Sequence, residues 1–298
     1  MRLGVSSSAF ICMMPKEVVV AMSSFVKTGA PCRLDEHLNR MMVDFTRDMM
    51  NAINSSEIGT MECYHSTIWN IDQVMEPILD HPNVEFWSVH APYGRQYDPS
   101  SPNPDIREAA VRAYCEAVDI AKRLGAKVVV AHPGAQAEYD TPRHERLKLI
   151  PDTMTRIADY AAEFDIRIAI EPLPNQEPGN SVEEVLWVLD QMNRPNAGVN
   201  FDVNHLFPAV AIPDLIRKAG NRILSTHISD QDDTERHWLP FEGKLDWGAV
   251  IEALAQSGYD GPLIYETHVK NAGSCDEIAA IIVDNYHKLL KLPVAGLV

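Results

Sequence analysis

Seven acidic or histidine side chains close, or nearly close, seven short apolar runs: Glu62, His90, His132, Glu171, Asp202, His227 and Glu266. Carboxylate oxygens and imidazole nitrogens are the donors that hard and borderline divalent cations prefer. Glu171, Asp202, His227 and Glu266 end four successive runs as three carboxylates and one imidazole, a mixed O/N set suited to Mn²⁺, Mg²⁺, Co²⁺ or Zn²⁺ rather than a soft metal. Taken singly, each residue reads better as a strand-end cap or half of an ion pair; together they define a candidate metal site. Local motifs add to it. Asp202-Val203-Asn204-His205 sets an acid and an imidazole three residues apart, and His132-Pro133-Gly134 ends a run in a turn. His227-Ile228-Ser229-Asp230 is followed by Glu235-Arg236-His237, then Gly243, Asp246 and Trp247.

The runs that must position these groups lie at residues 3–6, 58–64, 84–90, 126–132, 166–171, 197–202, 222–228 and 262–267. Several are continuously apolar or β-branched, as in Lys127-Val128-Val129-Val130-Ala131, which suits strands buried on both faces of a parallel sheet. Helical periodicity fills the gaps at 105–124, 154–164, 181–192 and 247–255. Ser181 with Glu184 predicts a capping box at the start of one helix. Eight strand–helix units predict an α/β fold of the (β/α)8 barrel type, a single domain over 1–298, with functional side chains at the C-terminal strand ends. Residues 9–31, rich in Met and small side chains, fall after the first strand and are expected to form an extended loop or an extra helix. Such a segment is a packed insertion, a lid or a subunit contact.

Composition narrows the function. The 298-residue chain is 46% hydrophobic and carries 26 Lys and Arg against 42 Asp and Glu, a net charge of −16. That balance argues against nucleic acid or an anionic membrane as the main partner. The five cysteines, Cys12, Cys32, Cys63, Cys115 and Cys275, are scattered and include no Cys-x-x-Cys pair, so a reducing, cytoplasmic setting is expected. The apolar stretch 18–26 is too short for a bilayer, which needs about 20 residues. No Walker-type glycine loop or dinucleotide fingerprint implies a nucleotide cofactor.

The order and spacing of these motifs over residues 84–267 resemble the xylose isomerase-like barrel superfamily, which includes sugar isomerases and epimerases, inosose dehydratases and the endonuclease IV repair enzymes. In the epimerase branch, the positions resembling Glu171, Asp202, His227 and Glu266 hold one divalent metal, with Mn²⁺ the first expectation. The two glutamates then exchange the substrate's proton. His205 and Arg236 match positions that contact substrate oxygens, and His90, His132 and His237 are expected to complete the substrate-binding set. In the endonuclease IV branch, the positions resembling His90, His132, Glu171, Asp202, His205, His227, His237 and Glu266 bind three zinc ions. This chain departs from that branch by placing Glu235 where an aspartate is usual.

Acidic residues in the loops after the fifth and seventh strands, among them Glu177, Asp230, Asp232, Asp233 and Glu235, favour a neutral polyol over a polyanion. A cation chelated by a carbonyl and an adjacent hydroxyl would stabilise the enediolate formed when the intervening C–H ionises. Carboxylates on opposite faces of that plane would give epimerisation. Delivery to the next carbon would give isomerisation, and a β-hydroxyl would permit elimination. The expected activity is therefore a metal-dependent sugar isomerase or epimerase on a small carbohydrate, as a monomer or homo-oligomer. The alternatives are an inosose-type dehydratase, a multi-zinc phosphodiesterase, a non-catalytic sugar binder, and the metal-bearing subunit of a larger complex. Trp69, Tyr93, Tyr97, Phe207 and Trp238 are the aromatics that could stack on a sugar.

Overall fold

The computed structural model describes residues 1–30, 32–136, 139–174 and 176–293. Eight parallel strands close into a barrel in chain order: β1 (Leu3–Ser6), β2 (Thr60–Tyr64), β3 (Glu85–His90), β4 (Val128–Ala131), β5 (Arg167–Ile170), β6 (Ala197–Asp202), β7 (Ile223–Ile228) and β8 (Leu263–Tyr265). The molecule is thus a single (β/α)8 barrel. The apolar runs behave as their composition dictates: β4 and β8 are buried at every residue, between the barrel interior and the outer helices.

The helices are α1 (Lys16–Thr28), α2 (Glu36–Asn54), α3 (Ile71–Leu79), α4 (Pro104–Leu124), α5 (Arg143–Leu147), α6 (Ile150–Ala162), α7 (Val182–Met192), α8 (Ile212–Ala219), α9 (Trp247–Gln256) and α10 (Cys275–Leu289). Their ends follow local chemistry. The Asn103 side chain accepts from the Asp105 N–H, Pro104 opens α4 with φ already helical, and Gly125 at φ 71° ends it in the left-handed region. At α7, Ser181 accepts from the Glu184 N–H, the first half of a capping box. The second half goes elsewhere, because the Glu184 carboxylate accepts from the Gly179 N–H at 2.8 Å and from Arg143 at 2.6 Å. Helix α6 begins four residues before the expected 154 and stops at Ala162, after which Asp165 turns the chain at φ 58°.

Two strand pairings slip by one residue, β2–β3 at Met61/Glu62 and β6–β7 at Val199/Asn200. Such irregularities re-aim the side chains that follow them. Here those side chains are Glu62 and Asn200, both fully buried.

Between β1 and α2 the chain forms a 3-10 turn at Ser7–Met13 and then α1, which buries Val18 and Phe25. Pro31, at the end of this stretch, lies outside the described residues. Met14 and Met22 from this segment and Met42 and Met49 from α2 line a cavity of about 90 Å³. The C-terminal turn of α1 brings Val26 and Lys27 to the barrel mouth. Among the described residues no helix is long and apolar enough to cross a membrane, and all five cysteines are free thiols.

Candidate metal centre and active site

Six strands deliver the acidic and imidazole groups. His90 and Asp202 are the last residues of β3 and β6, and His227 is the penultimate residue of β7. His132, Glu171 and Glu266 each follow the last residue of β4, β5 and β8 by one. Sheet hydrogen bonding runs on at Glu171 and Glu266, whose N–H groups donate to Ala131 and Ile228 carbonyls at 3.1 Å, and the His132, Glu171 and Glu266 side chains line the mouth.

Glu171, Asp202, His227 and Glu266 each offer a donor atom, and the four atoms lie within 4.8 Å of one another. His227 Nδ1 sits at the centre, 3.0 Å from Glu266 Oε2 and 3.4 Å from both Glu171 Oε1 and Asp202 Oδ2. Asp202 Oδ2 is buried with no hydrogen-bond partner among the described residues, a costly position for a carboxylate oxygen unless a cation or proton meets it. The donor set and the orphaned oxygen fit a divalent cation.

Two further groups flank this one. His90 Nε2 and His132 Nε2 lie 3.4 and 3.8 Å from Glu171 Oε2, and the His90 ring stacks on His227 with centroids 6.0 Å apart. His205, Glu235 and His237 form the third, with Glu235 Oε1 3.5 Å from His237 Nε2 and 4.0 Å from His205 Nε2. His205 Nδ1 also reaches Glu171 Oε1 at 3.0 Å, tying the third group to the first. Asn204, fully buried, holds the third group's loop in place: its Oδ1 accepts from the backbone N–H of Arg236 and His237 at 3.0 and 3.1 Å. His237 sits at φ 52°, an uncommon conformation for a non-glycine residue at a site where backbone strain tends to concentrate.

Burial opposes every charge here, and the neighbours decide the outcome. Burial would raise the Glu171 carboxyl, but His227, His205 and His90 outweigh it and hold the group well below the usual range. Glu266 is lowered in the same way, burial yielding to His227 and His237. Asp202 goes the other way: burial prevails over His205 and His227, and its pKa is raised. Burial works against the His227 imidazolium, yet Glu266, Glu62 and Glu171 carry its pKa well above the ordinary value. His205 is pushed up to about 10, burial again being outweighed, by Asp202 and Glu171 first. His132 is pushed down to about 3 by burial, so it is a neutral donor at physiological pH.

A cavity of about 640 Å³ opens over these groups. Of the residues expected to touch substrate, His90, His132, His205 and His237 line it, together with Glu171 and Glu266. Arg236 does not. Its guanidinium pairs with Asp232 at 2.9 and 3.1 Å and lies over Trp238, so the structure removes it from the pocket wall. Among the described residues, the Lys and Arg side chains that line the pocket are Lys27 and Arg95, neither of which belongs to a motif of the sequence. Among the aromatics, only Tyr93 lines the cavity, stacked on His132 with ring centroids 4.6 Å apart. Trp69 packs edge-on against Tyr64, the Tyr97 hydroxyl bonds Thr67, and Phe207 faces outward. The spacing of the strand ends flagged Glu62 without a role; it lies beneath the cluster, 3.0 Å from His227 Nε2.

A family model described as the xylose isomerase-like TIM barrel matches residues 65–285. An uncharacterised protein of Methanocaldococcus jannaschii is 30% identical over 217 residues, 70% of this chain and 73% of that protein. An L-ribulose 3-epimerase of Methylomonas sp. is 29% identical over 208 residues, 67% of this chain and 70% of the relative. Among solved structures, a D-allulose 3-epimerase from Methylomonas sp. in complex with D-allulose aligns with a TM-score of 0.70 at 20% identity, covering 83% of this chain and 91% of the other. At that identity the likeness is one of fold. The chain belongs to the xylose isomerase-like TIM barrel family.

Proposed function

We propose that this chain is a divalent-metal-dependent isomerase or epimerase of a small carbohydrate or carbohydrate derivative, with Glu171 and Glu266 as the proton-transferring pair. The observation that carries this reading is the placement of two glutamates from β5 and β8 on the same pocket, joined by Asp202 and His227 as the remaining donors of one cation site. The likeness to an L-ribulose 3-epimerase supports the same class of chemistry.

Glu171, Asp202, His227 and Glu266 would hold the cation, with Mn²⁺ the first choice on donor type. When bound, it would polarise a substrate carbonyl and favour loss of the adjacent proton. Glu171 is fixed by His205, His90 and the Asn200 amide, which suits a base held in one orientation. Glu266 is the most exposed of the four, at 17%, and accepts from the Ser8 hydroxyl at 3.1 Å, so it faces the pocket from across the mouth. Proton removal by one carboxylate and return by the other to the opposite face inverts a carbon centre; return to the neighbouring carbon moves the carbonyl. His132, His205 and His237 present ring nitrogens to substrate hydroxyls along the wall. Elimination from an inosose-like ketone would use the same pair.

A second reading has its own support. With the Glu171–Asp202–His227–Glu266 set, the His90–His132–Glu171 and His205–Glu235–His237 groups make three donor sets in one mouth, the arrangement a multi-zinc phosphodiesterase would use. Against it, Glu171, Glu177, Glu235 and Glu266 line the pocket, with Lys27 and Arg95 as the lining cations, a poor match for a phosphate backbone. The experiment is to strip the protein, restore Mn²⁺, Co²⁺ or Zn²⁺, and incubate it with ketoses, inososes and keto-glycosides while following product by NMR. Metal-dependent interconversion supports the first reading. No turnover of the panel, with metal-dependent cleavage of an abasic-site duplex, replaces it by the second.

A further inference from the structure

We propose that Glu62 is a positioning residue whose carboxylate, held by Ser88, fixes the His227 ring so that its Nδ1 lone pair faces the metal centre. The inference rests on the reading of Glu171, Asp202, His227 and Glu266 as the cation site. Glu62 lies in the middle of β2, its side chain directed into the barrel below the cluster and wholly removed from solvent. A carboxylate in that position is expensive unless each oxygen is met. Both are. Ser88 Oγ donates to Oε2 at 2.7 Å, and His227 Nε2 lies 3.0 Å from Oε1. Ser88 is itself fully buried on β3 and pairs in register with Glu62 across the strands, immediately after the one-residue slip at Met61/Glu62. Without that slip, the partner of Glu62 in the neighbouring strand would be a different residue.

The imidazole has two nitrogens and, when neutral, one proton. Glu62 Oε1 accepts a hydrogen bond from Nε2–H, so the proton resides there, and Nδ1, with the Asn200 amide 3.2 Å away, keeps its lone pair on the side where Glu171, Asp202 and Glu266 converge. The opposite tautomer would place a ring proton at the centre of the cluster and leave Glu62 Oε1 facing a lone pair. A ligating histidine whose other nitrogen donates to a carboxylate is oriented and made more basic, and loss of such a partner typically weakens metal binding about 10–100-fold.

The test uses the full-length protein loaded with Zn²⁺, a diamagnetic probe, and with Mn²⁺ for affinity by chelator competition. Wild type should show a slowly exchanging, low-field ring proton on His227 Nε2 in ¹⁵N-correlated spectra. Glu62→Ala should lose that signal and bind either metal about 10–100-fold more weakly. Glu62→Gln, with its carbonyl on His227 and its amide on the Ser88 hydroxyl, should keep the tautomer and most of the affinity. Ser88→Ala, which frees the other carboxylate oxygen, should fall between them. If Glu62→Ala fails to fold, the Gln and Ser88→Ala variants carry the comparison. Wild type that binds metal with the proton on Nδ1, or variants that all bind as wild type does, overturns the inference while leaving the cation site standing. Wild type that refuses metal overturns the cation site, and the inference falls with it.

Discussion

Loading the metal-free protein should release protons, and their number follows from the site's electrostatics. In the metal-free state Glu266, Glu62 and Glu171 together outweigh burial and keep His227 protonated well above its ordinary value. A coordinating imidazole must be neutral, so binding expels at least that proton. His205, pushed up to about 10 by Asp202 and Glu171 against burial, holds a second proton that depends on the same carboxylates. Once a dication engages Asp202 and Glu171, the cause of that shift is largely spent. About one to two protons should therefore leave per metal between pH 6 and 8, and apparent affinity should rise about 10- to 100-fold per pH unit, or roughly 1.4–2.7 kcal/mol. Calorimetric titration with Mn²⁺ in buffers of different ionisation enthalpy counts the protons directly. His205→Asn should reduce the count toward one, the His227 contribution. An affinity independent of pH across this range, with no proton release in any buffer, would refute the reasoning.

His65 is buried, neither ring nitrogen is hydrogen-bonded among the described residues, and burial lowers its pKa from 6.5 to about 4. Because the folded group refuses a proton that the unfolded chain accepts, its stability contribution is present above pH 6.5 and is lost as pH falls toward 4, about 3 kcal/mol in all; His65→Phe should flatten that limb of a denaturation-versus-pH curve. Asn204→Ala leaves the Arg236 and His237 N–H groups without their acceptor and should cost about 2–4 kcal/mol, read as a drop in melting temperature. Gly243→Ala would set a Cβ 2.3 Å from Asp230 Oδ1 and 2.4 Å from the Gln231 carbonyl oxygen, in a turn where Asp230 also accepts from the Trp247 indole. Chemical denaturation should show a loss of about 3 kcal/mol.

The barrel was legible because each strand announces itself as a short apolar run and each helix by its period and caps. Strand-end residues were legible for the same reason: a side chain one residue beyond a buried parallel strand has the barrel mouth in front of it. Interior groups were harder. Glu62 and Asn200 owe their orientation to single-residue register slips, and a slip leaves no mark on hydrophobic pattern. Arg236 resembles a substrate-contact position of the family, but Asp232 four residues earlier captures its guanidinium. Lys27 and Arg95 went unnoticed because they reach the pocket through the packing of α1 onto the 95–97 turn, a contact between segments far apart in sequence. The aromatic residues were legible only as a pool, since ring direction depends on loop conformation.

The most direct test of the account is solvent-proton exchange at the carbon beside a substrate carbonyl. The Mn²⁺-loaded protein would be incubated in D₂O with ketoses and keto-glycosides, and deuterium incorporation followed by NMR in wild type, Glu171→Gln and Glu266→Gln. Positioned carboxylates contribute about 10²–10⁴-fold to such transfers, so exchange in wild type should fall by that factor in each variant while bound metal is retained. Undiminished exchange in both Gln variants, with metal still bound, would contradict the assignment of the proton-transferring pair.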